Sequence, residues 1–151
     1  MMKKVAVLGS ILVASMLSGC FFVTETIVCT KSGKESGMDS TQRIEAVFKS
    51  KKVQTMNMDV TVDLSNQPDS MVGVAKSVLE SNYEDMNAEG VKTSVTQEKK
   101  KLNVNIDLNF EKASKESLEK VDSNFAESKG QKVDTEEFMK QLEDEGYKCE
   151  K

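Results

Sequence analysis

The chain contains no histidine. That single absence removes the commonest general base, the near-neutral proton switch and the most frequent transition-metal ligand, so serine–histidine, cysteine–histidine and histidine–zinc chemistry are excluded. Cysteine is scarce as well: three residues, Cys20, Cys29 and Cys149, with no CxxC pair, which leaves an oxidoreductase role without its motif. Basic residues are outnumbered, 21 against 25 acidic ones, a balance that argues against nucleic acid as a partner. A long apolar run is missing too. The uncharged stretch from Val5 to Leu17 would make a helix of about 20 Å, short of the hydrocarbon core of about 30 Å that a permanent span must cross.

What that stretch does fit is an export signal. Lys3 and Lys4 precede it and the small pair Ser18-Gly19 closes it, the order of charged, apolar and small residues in a secretory leader. The next residue is Cys20, and Leu17-Ser18-Gly19-Cys20 resembles the lipobox of bacterial lipoproteins. In those proteins the cysteine sulfur receives a diacylglyceryl group and cleavage leaves it as the new N-terminus. Two acyl chains on one sulfur meet the requirement for stable anchoring, which one chain does not. The expected division is a signal peptide at 1–19, a lipid-anchored N-terminus and short tether at 20–25, and one domain at 26–151. A chain running from Cys20 to Lys151 has length for one core-bearing domain and hardly for two. Phe21 and Phe22 follow the anchor without a polar spacer.

Cys29 and Cys149 remain once Cys20 is assigned. In an oxidising exterior two thiols near opposite ends of a small domain are expected to form a disulfide. The alternative is a pair of buried free cysteines.

Period-two alternation marks the strands. In "QTMNMDVTVDL", Met56, Met58, Val60, Val62 and Leu64 alternate with polar residues, and in "KLNVNIDLNF", Leu102, Val104, Ile106, Leu108 and Phe110 do the same. "RIEAVF" precedes the first through a turn at Lys49–Lys52, and "VKTSV" precedes the second through Glu98-Lys99-Lys100, giving two antiparallel hairpins. Between them Pro68 opens a helix carrying Met71, Val74, Ala75, Val78, Leu79, Tyr83 and Met86 at spacings of three and four, with Gly90 beyond its end. "KASKESLEKV" reads as a weaker helix, Asp122 to Lys132 as a polar stretch, and Asp134-Thr135-Glu136-Glu137 as a capped helix start that buries Phe138, Met139 and Leu142 and stops at Gly146. A first strand at Thr26 to Lys31 and a last one at Tyr147 to Glu150 complete the pattern, with Ser32 to Ser40 as a loop. The fold class is α+β, an antiparallel sheet of two hairpins with helices packed on one face.

The wet faces of the two alternating strands hold the only concentrated polar chemistry. Asn57, Asp59 and Asp63 share one, Asn103, Asn105 and Asp107 the other, and Asn and Asp are poor strand formers unless something selects them. Adjacent strands would merge them into one amide–carboxylate surface, suited to hard cations or to the hydroxyls of cell-wall glycans. The plainer reading is a solvated sheet face, since alternation alone demands polar residues there. Met56 and Met58 suit monovalent copper as thioether ligands, yet their register with Val60 and Val62 makes them core. Glu143, Asp144 and Glu145 point in different directions on a helix and form no acid–base pair. No metal, cofactor or catalytic residue is expected.

With these residues in place, the chain resembles the YehR-like small bacterial lipoproteins, a family of uncharacterised function. The resemblance rests on the lipobox, the early "VCTKSG", the central "SNYEDMNAEGVKTSV" and the closing "EEFMKQLEDEGYKCEK". It implies an α+β domain with an antiparallel sheet, held outside the membrane, and carries over no catalytic residues. The expected function is a lipid-anchored, non-catalytic binding domain on the extracytoplasmic face of the cell membrane, its partners the membrane through Cys20 and an unknown envelope ligand. The alternative is an envelope hydrolase using paired carboxylates such as Asp59 and Asp107.

Overall fold

A computed structural model describes residues 23–151; the signal peptide, Cys20, Phe21 and Phe22 lie outside the described residues. Six strands, β1 (Thr24–Glu35), β2 (Met38–Lys49), β3 (Lys52–Asp63), β4 (Val91–Glu98), β5 (Lys101–Asn109) and β6 (Lys148–Glu150), form one sheet in the order β4-β5-β3-β2-β1-β6. Every neighbouring pair is antiparallel. Four helices, α1 (Asp69–Glu84), α2 (Lys115–Val121), α3 (Ser123–Ser128) and α4 (Thr135–Asp144), complete an α+β chain. Among the described residues no helix is long and apolar enough to cross a membrane.

The expected loop at Ser32–Ser40 is instead a third hairpin. β1 continues to Glu35 and β2 begins at Met38, pairing in register from Thr24↔Lys49 to Glu35↔Met38. Ser36 and Gly37 turn the chain with φ of 52° and 80°, the doubly positive geometry whose twist matches the flanking strands. The segment "SGKESGMDS" hides this because its strand residues are small and charged and carry no apolar alternation. Two hairpins therefore become a three-strand meander, β1-β2-β3, with the β4-β5 hairpin added beside β3. The Ser50-Lys51 turn takes positive φ at both residues, 50° and 64°, where the sequence places it.

Register explains the core. Met56 faces Leu108 and Ala46, Met58 faces Ile106 and Ile44, and Val60 faces Val104, so the alternating residues of five strands build one apolar face with Ile27, Cys29 and Val91. Met56 is buried in this core cluster and Met58, partly buried, packs against it. Against it lie Leu79 and Tyr83 of α1, Leu118 of α2, Phe125 and Ala126 of α3, and Phe138, Met139 and Leu142 of α4. The stripe of α1 that meets the sheet is Val72, Ala75, Leu79 and Tyr83. Met71, Val74 and Val78, read from the sequence as part of it, are 56%, 64% and 52% exposed, because at about 100° per residue Val74 falls nearly opposite Val72 and Leu79, and Met71 and Val78 fall on the flank of the cylinder.

The polar stretch after Val121 also folds. Asp122 caps α3 by accepting from the Asn124 backbone N–H at 2.8 Å, and Lys129 Nζ donates to the carbonyls of Phe110, at 2.7 Å, and Ala113. α4 starts as its sequence specifies: the Asp134 carboxylate accepts the backbone N–H groups of Glu136 and Glu137 at 3.0 and 3.2 Å. It ends on Gly146, at φ 94°, with Gly146 N–H donating to Glu143 O at 2.9 Å and Tyr147 N–H to Leu142 O at 3.0 Å, a Schellman closure.

The Asp134 cap has a pH signature. Hydrogen bonds from the Glu137 and Glu136 amides hold its pKa below the ordinary 3.8. A depressed folded pKa contributes stability above the unfolded value that is lost as pH falls through the folded one. Asp134→Asn keeps the accepting oxygen and removes the titration. The expected outcome is a wild-type advantage in urea midpoint above pH 3.8 that shrinks below it; a pH-independent difference between the two proteins would contradict the assignment.

Candidate functional site

The face of the sheet opposite the apolar one is a ladder of facing polar residues on β3 and β5. Thr61 faces Asn103, Asp59 faces Asn105 and Asn57 faces Asp107. Each rung is closed by an asparagine amide: Asn103 Nδ2 donates to Thr61 Oγ1 at 2.9 Å, Asn105 Nδ2 to Asp59 Oδ1 at 2.8 Å, and Asn57 Nδ2 to Asp107 Oδ1. Asp63, at the end of β3, faces Lys101 and lies 3.7 Å from its ammonium. The Ser65 hydroxyl, then the Ser65 amide, lower its pKa. All six residues singled out from the sequence therefore share one face. Cross-strand pairs of this kind contribute roughly 0.2–1 kcal/mol each, which accounts for poor strand formers in the middle of two strands.

The ladder is not uniform. At the Asn57–Asp107 rung the surface opens into a depression of about 640 Å³, lined by Glu45, Asn57, Asp107, Asn109, Lys92 and Lys112 among others. Register builds it: Lys92 of β4 faces Asp107, Asp107 faces Asn57, and Asn57 faces Glu45 of β2, so four strands place an ammonium, two carboxylates and an amide in one row. Arg43 Nη2 reaches Glu45 Oε2 at 2.5 Å. Asn109 turns the chain beyond β5, its Oδ1 accepting from the amides of Glu111 and Lys112, both at 3.1 Å, and so fixes where Lys112 leaves the sheet.

Of the predicted face, Asn57 and Asp107 line the depression; Asp59, Asp63, Asn103 and Asn105 do not. Asp59 and Asp107 lie diagonally across the β3–β5 pair, each bonded to the asparagine facing it. Glu45, Lys92 and Lys112 were not read from the sequence, because their convergence depends on β5 returning to pair with β3 rather than with β4 alone. Among the described residues no group of three or more histidine, cysteine, aspartate or glutamate side chains is placed to hold a metal ion. The hollow brings together two carboxylates, two ammonium groups and two amides.

The remaining two predicted residues lie at the far edge of the sheet. Cys29 of β1 and Cys149 of β6 face each other directly, with α-carbons 4.1 Å apart, and are joined as a disulfide.

No protein-family model matches this chain, and no curated protein does. Solved structures do. The NMR structure of the E. coli YehR protein superposes with a TM-score of 0.55 at 16% identity, over 81% of this chain and 88% of that one. An NMR structure of a protein from Streptococcus pneumoniae TIGR4 superposes with a TM-score of 0.55 at 13% identity, over 85% and 86%. The chain thus has the fold of YehR and of this pneumococcal protein.

Proposed function

We propose that this protein is an exported lipoprotein, anchored through acylated Cys20 on the extracytoplasmic face of the cell membrane, whose domain binds an envelope ligand without catalysing a reaction on it. The observation that carries the reading is the four-residue match Leu17-Ser18-Gly19-Cys20 at the end of a charged-then-apolar leader. Support comes from the bridge that joins the first and last strands, where two cysteines at disulfide distance suit an oxidising compartment. The reading assigns the helices to the apolar side of the sheet and leaves the amide–carboxylate side to meet the ligand. A hollow of mixed charge and amides favours a neutral, hydroxyl-rich or zwitterionic partner, such as a cell-wall glycan or its peptide, over a strongly charged one.

Metabolic labelling with a fatty-acid analogue tests the anchor. Wild-type chain takes up the label and fractionates with membranes; Cys20→Ala takes up none and keeps its leader. Undiminished labelling of the mutant would refute the proposal.

A further inference from the structure

Basic residues gather at the end of the sheet where the described chain begins. The β2–β3 turn reads Lys49-Ser50-Lys51-Lys52, and its backbone is tied to that beginning: Ser50 N–H donates to Val23 O at 3.0 Å. The Lys51 carbonyl accepts from Val133 N–H at 2.7 Å, which brings Lys132 beside the turn. All four lysines are exposed, and Lys51, Lys52 and Lys132 take part in no ion pair among the described residues. The acids at this end are otherwise engaged. Asp134 accepts the Glu136 and Glu137 amides, Glu25 and Glu136 both approach the Lys151 ammonium, and Glu25 also accepts from the Thr135 hydroxyl at 2.9 Å.

Distance from the anchor decides what the turn meets. Val23 is three residues beyond Cys20, and three residues span at most about 11 Å. Phe21 and Phe22 between them supply no polar spacer, and Val23 itself is 56% exposed. The four-carbon stem of a lysine carries its charge across part of that gap. Charges in physiological salt act over about 8 Å, so the whole chain's net charge of −4 matters less to a bilayer than the corner held closest to it.

We infer that the Lys49–Lys52 turn, together with Lys132, docks on the anionic lipid headgroups of the membrane that holds Cys20, and so stands the strands end-on to the bilayer. β1 runs from Thr24 to Glu35, which places the Ser36-Gly37 turn roughly 36 Å from the docked end. The inference rests on the proposed anchor and is independent of what occupies the polar hollow.

The test uses the full chain extracted from membranes, its lipid first checked by intact mass, in nanodiscs of neutral phosphatidylcholine with or without added phosphatidylglycerol. Both kinds carry a trace of gadolinium-bearing headgroups, which broaden the amide signals of residues that approach them. Broadening at Ser50, Lys51 and Lys52 should rise with the anionic lipid and fall back in about 1 M salt, where screening shortens to about 3 Å, while Gly37 stays sharp in the anionic discs. Each lysine near an anionic surface favours the docked orientation by about fivefold, so Lys51→Gln with Lys52→Gln should lower the ratio of docked to free orientations by about 25-fold. Lys34→Gln with Lys99→Gln makes the same change of charge at the far end of the sheet and should leave the ratio as it is. Unchanged urea midpoints in both double variants show that the fold has survived. Equal broadening of a lipid-bearing chain in the two kinds of nanodisc, or equal losses from the two double variants, overturns the docking of the turn and leaves the anchor standing. A mass without the diacylglyceryl group removes the anchor, and this inference with it.

Discussion

Replacing Cys29 and Cys149 together by alanine is expected to lower the unfolding free energy by about 2–5 kcal/mol, the usual range for a native bridge in a small domain. The bond closes a loop between residues 120 apart in sequence, so the unfolded chain gains much freedom when it is cut. The folded side is equally exposed to the loss. β6 has three residues, at the edge of the sheet, and pairs with β1 through Val28↔Glu150, Cys29↔Cys149 and Thr30↔Lys148. Cys29 is fully buried in the core. Urea denaturation of wild type, reduced wild type and the double variant is the check, with backbone amide exchange at Lys148–Glu150 as the local readout. The two altered forms should have coincident, lower midpoints, and exchange in β6 should be fast. A midpoint insensitive to reduction would contradict the bridge.

Gly90→Ala should cost about 3 kcal/mol or more, from a left-handed backbone and from overpacking together. Gly90 sits at φ +77°, and a methyl group there would stand 2.3 Å from the Ala113 amide nitrogen and 2.8 Å from the Asn109 carbonyl oxygen. Those are backbone atoms, with no flexible side chain to yield. The crossing is itself tied by the Asn109 N–H donating to Gly90 O at 2.7 Å. Gly90 also lines the polar hollow, so any variant that still folds should show moved signals for Lys92 and Asp107. Gly73→Ala is the internal control: nothing lies within 4 Å of its new methyl group, and in the interior of α1 it should gain about 0.5–1 kcal/mol. Thermal unfolding of both variants separates the cases, and a harmless Gly90→Ala would mean that the β4 entry is misplaced.

The sequence reads well where chemistry alternates. β3 and β5 show themselves because each has one dry and one wet face, and α4 because Asp134 and Gly146 mark both of its ends. The first strand shows itself at Thr26 to Lys31, but its continuation to Glu35 and the start of β2 stay hidden, since Ser32, Gly33 and Lys34 enter the sheet through backbone pairing with Thr41, Ser40 and Asp39 in turn, not through side-chain burial. α3 stays hidden for a related reason: in a polar stretch only Phe125 and Ala126 face the core. The sites follow the same division. Asn57 and Asp107 could be named as polar strand residues, but Glu45 and Lys92, each facing one of them within a hairpin, converge only through the β3–β5 pairing, between strands far apart in sequence.

Under the proposed anchor, the mature protein begins at a lipid-bearing Cys20. Intact-mass spectrometry of wild-type chain extracted from membranes, followed by fragmentation of its N-terminal peptide, tests this most directly. The expected species begins at Cys20 and carries a diacylglyceryl group on the Cys20 sulfur. A chain that retains Met1, or begins elsewhere with an unmodified Cys20, would contradict it.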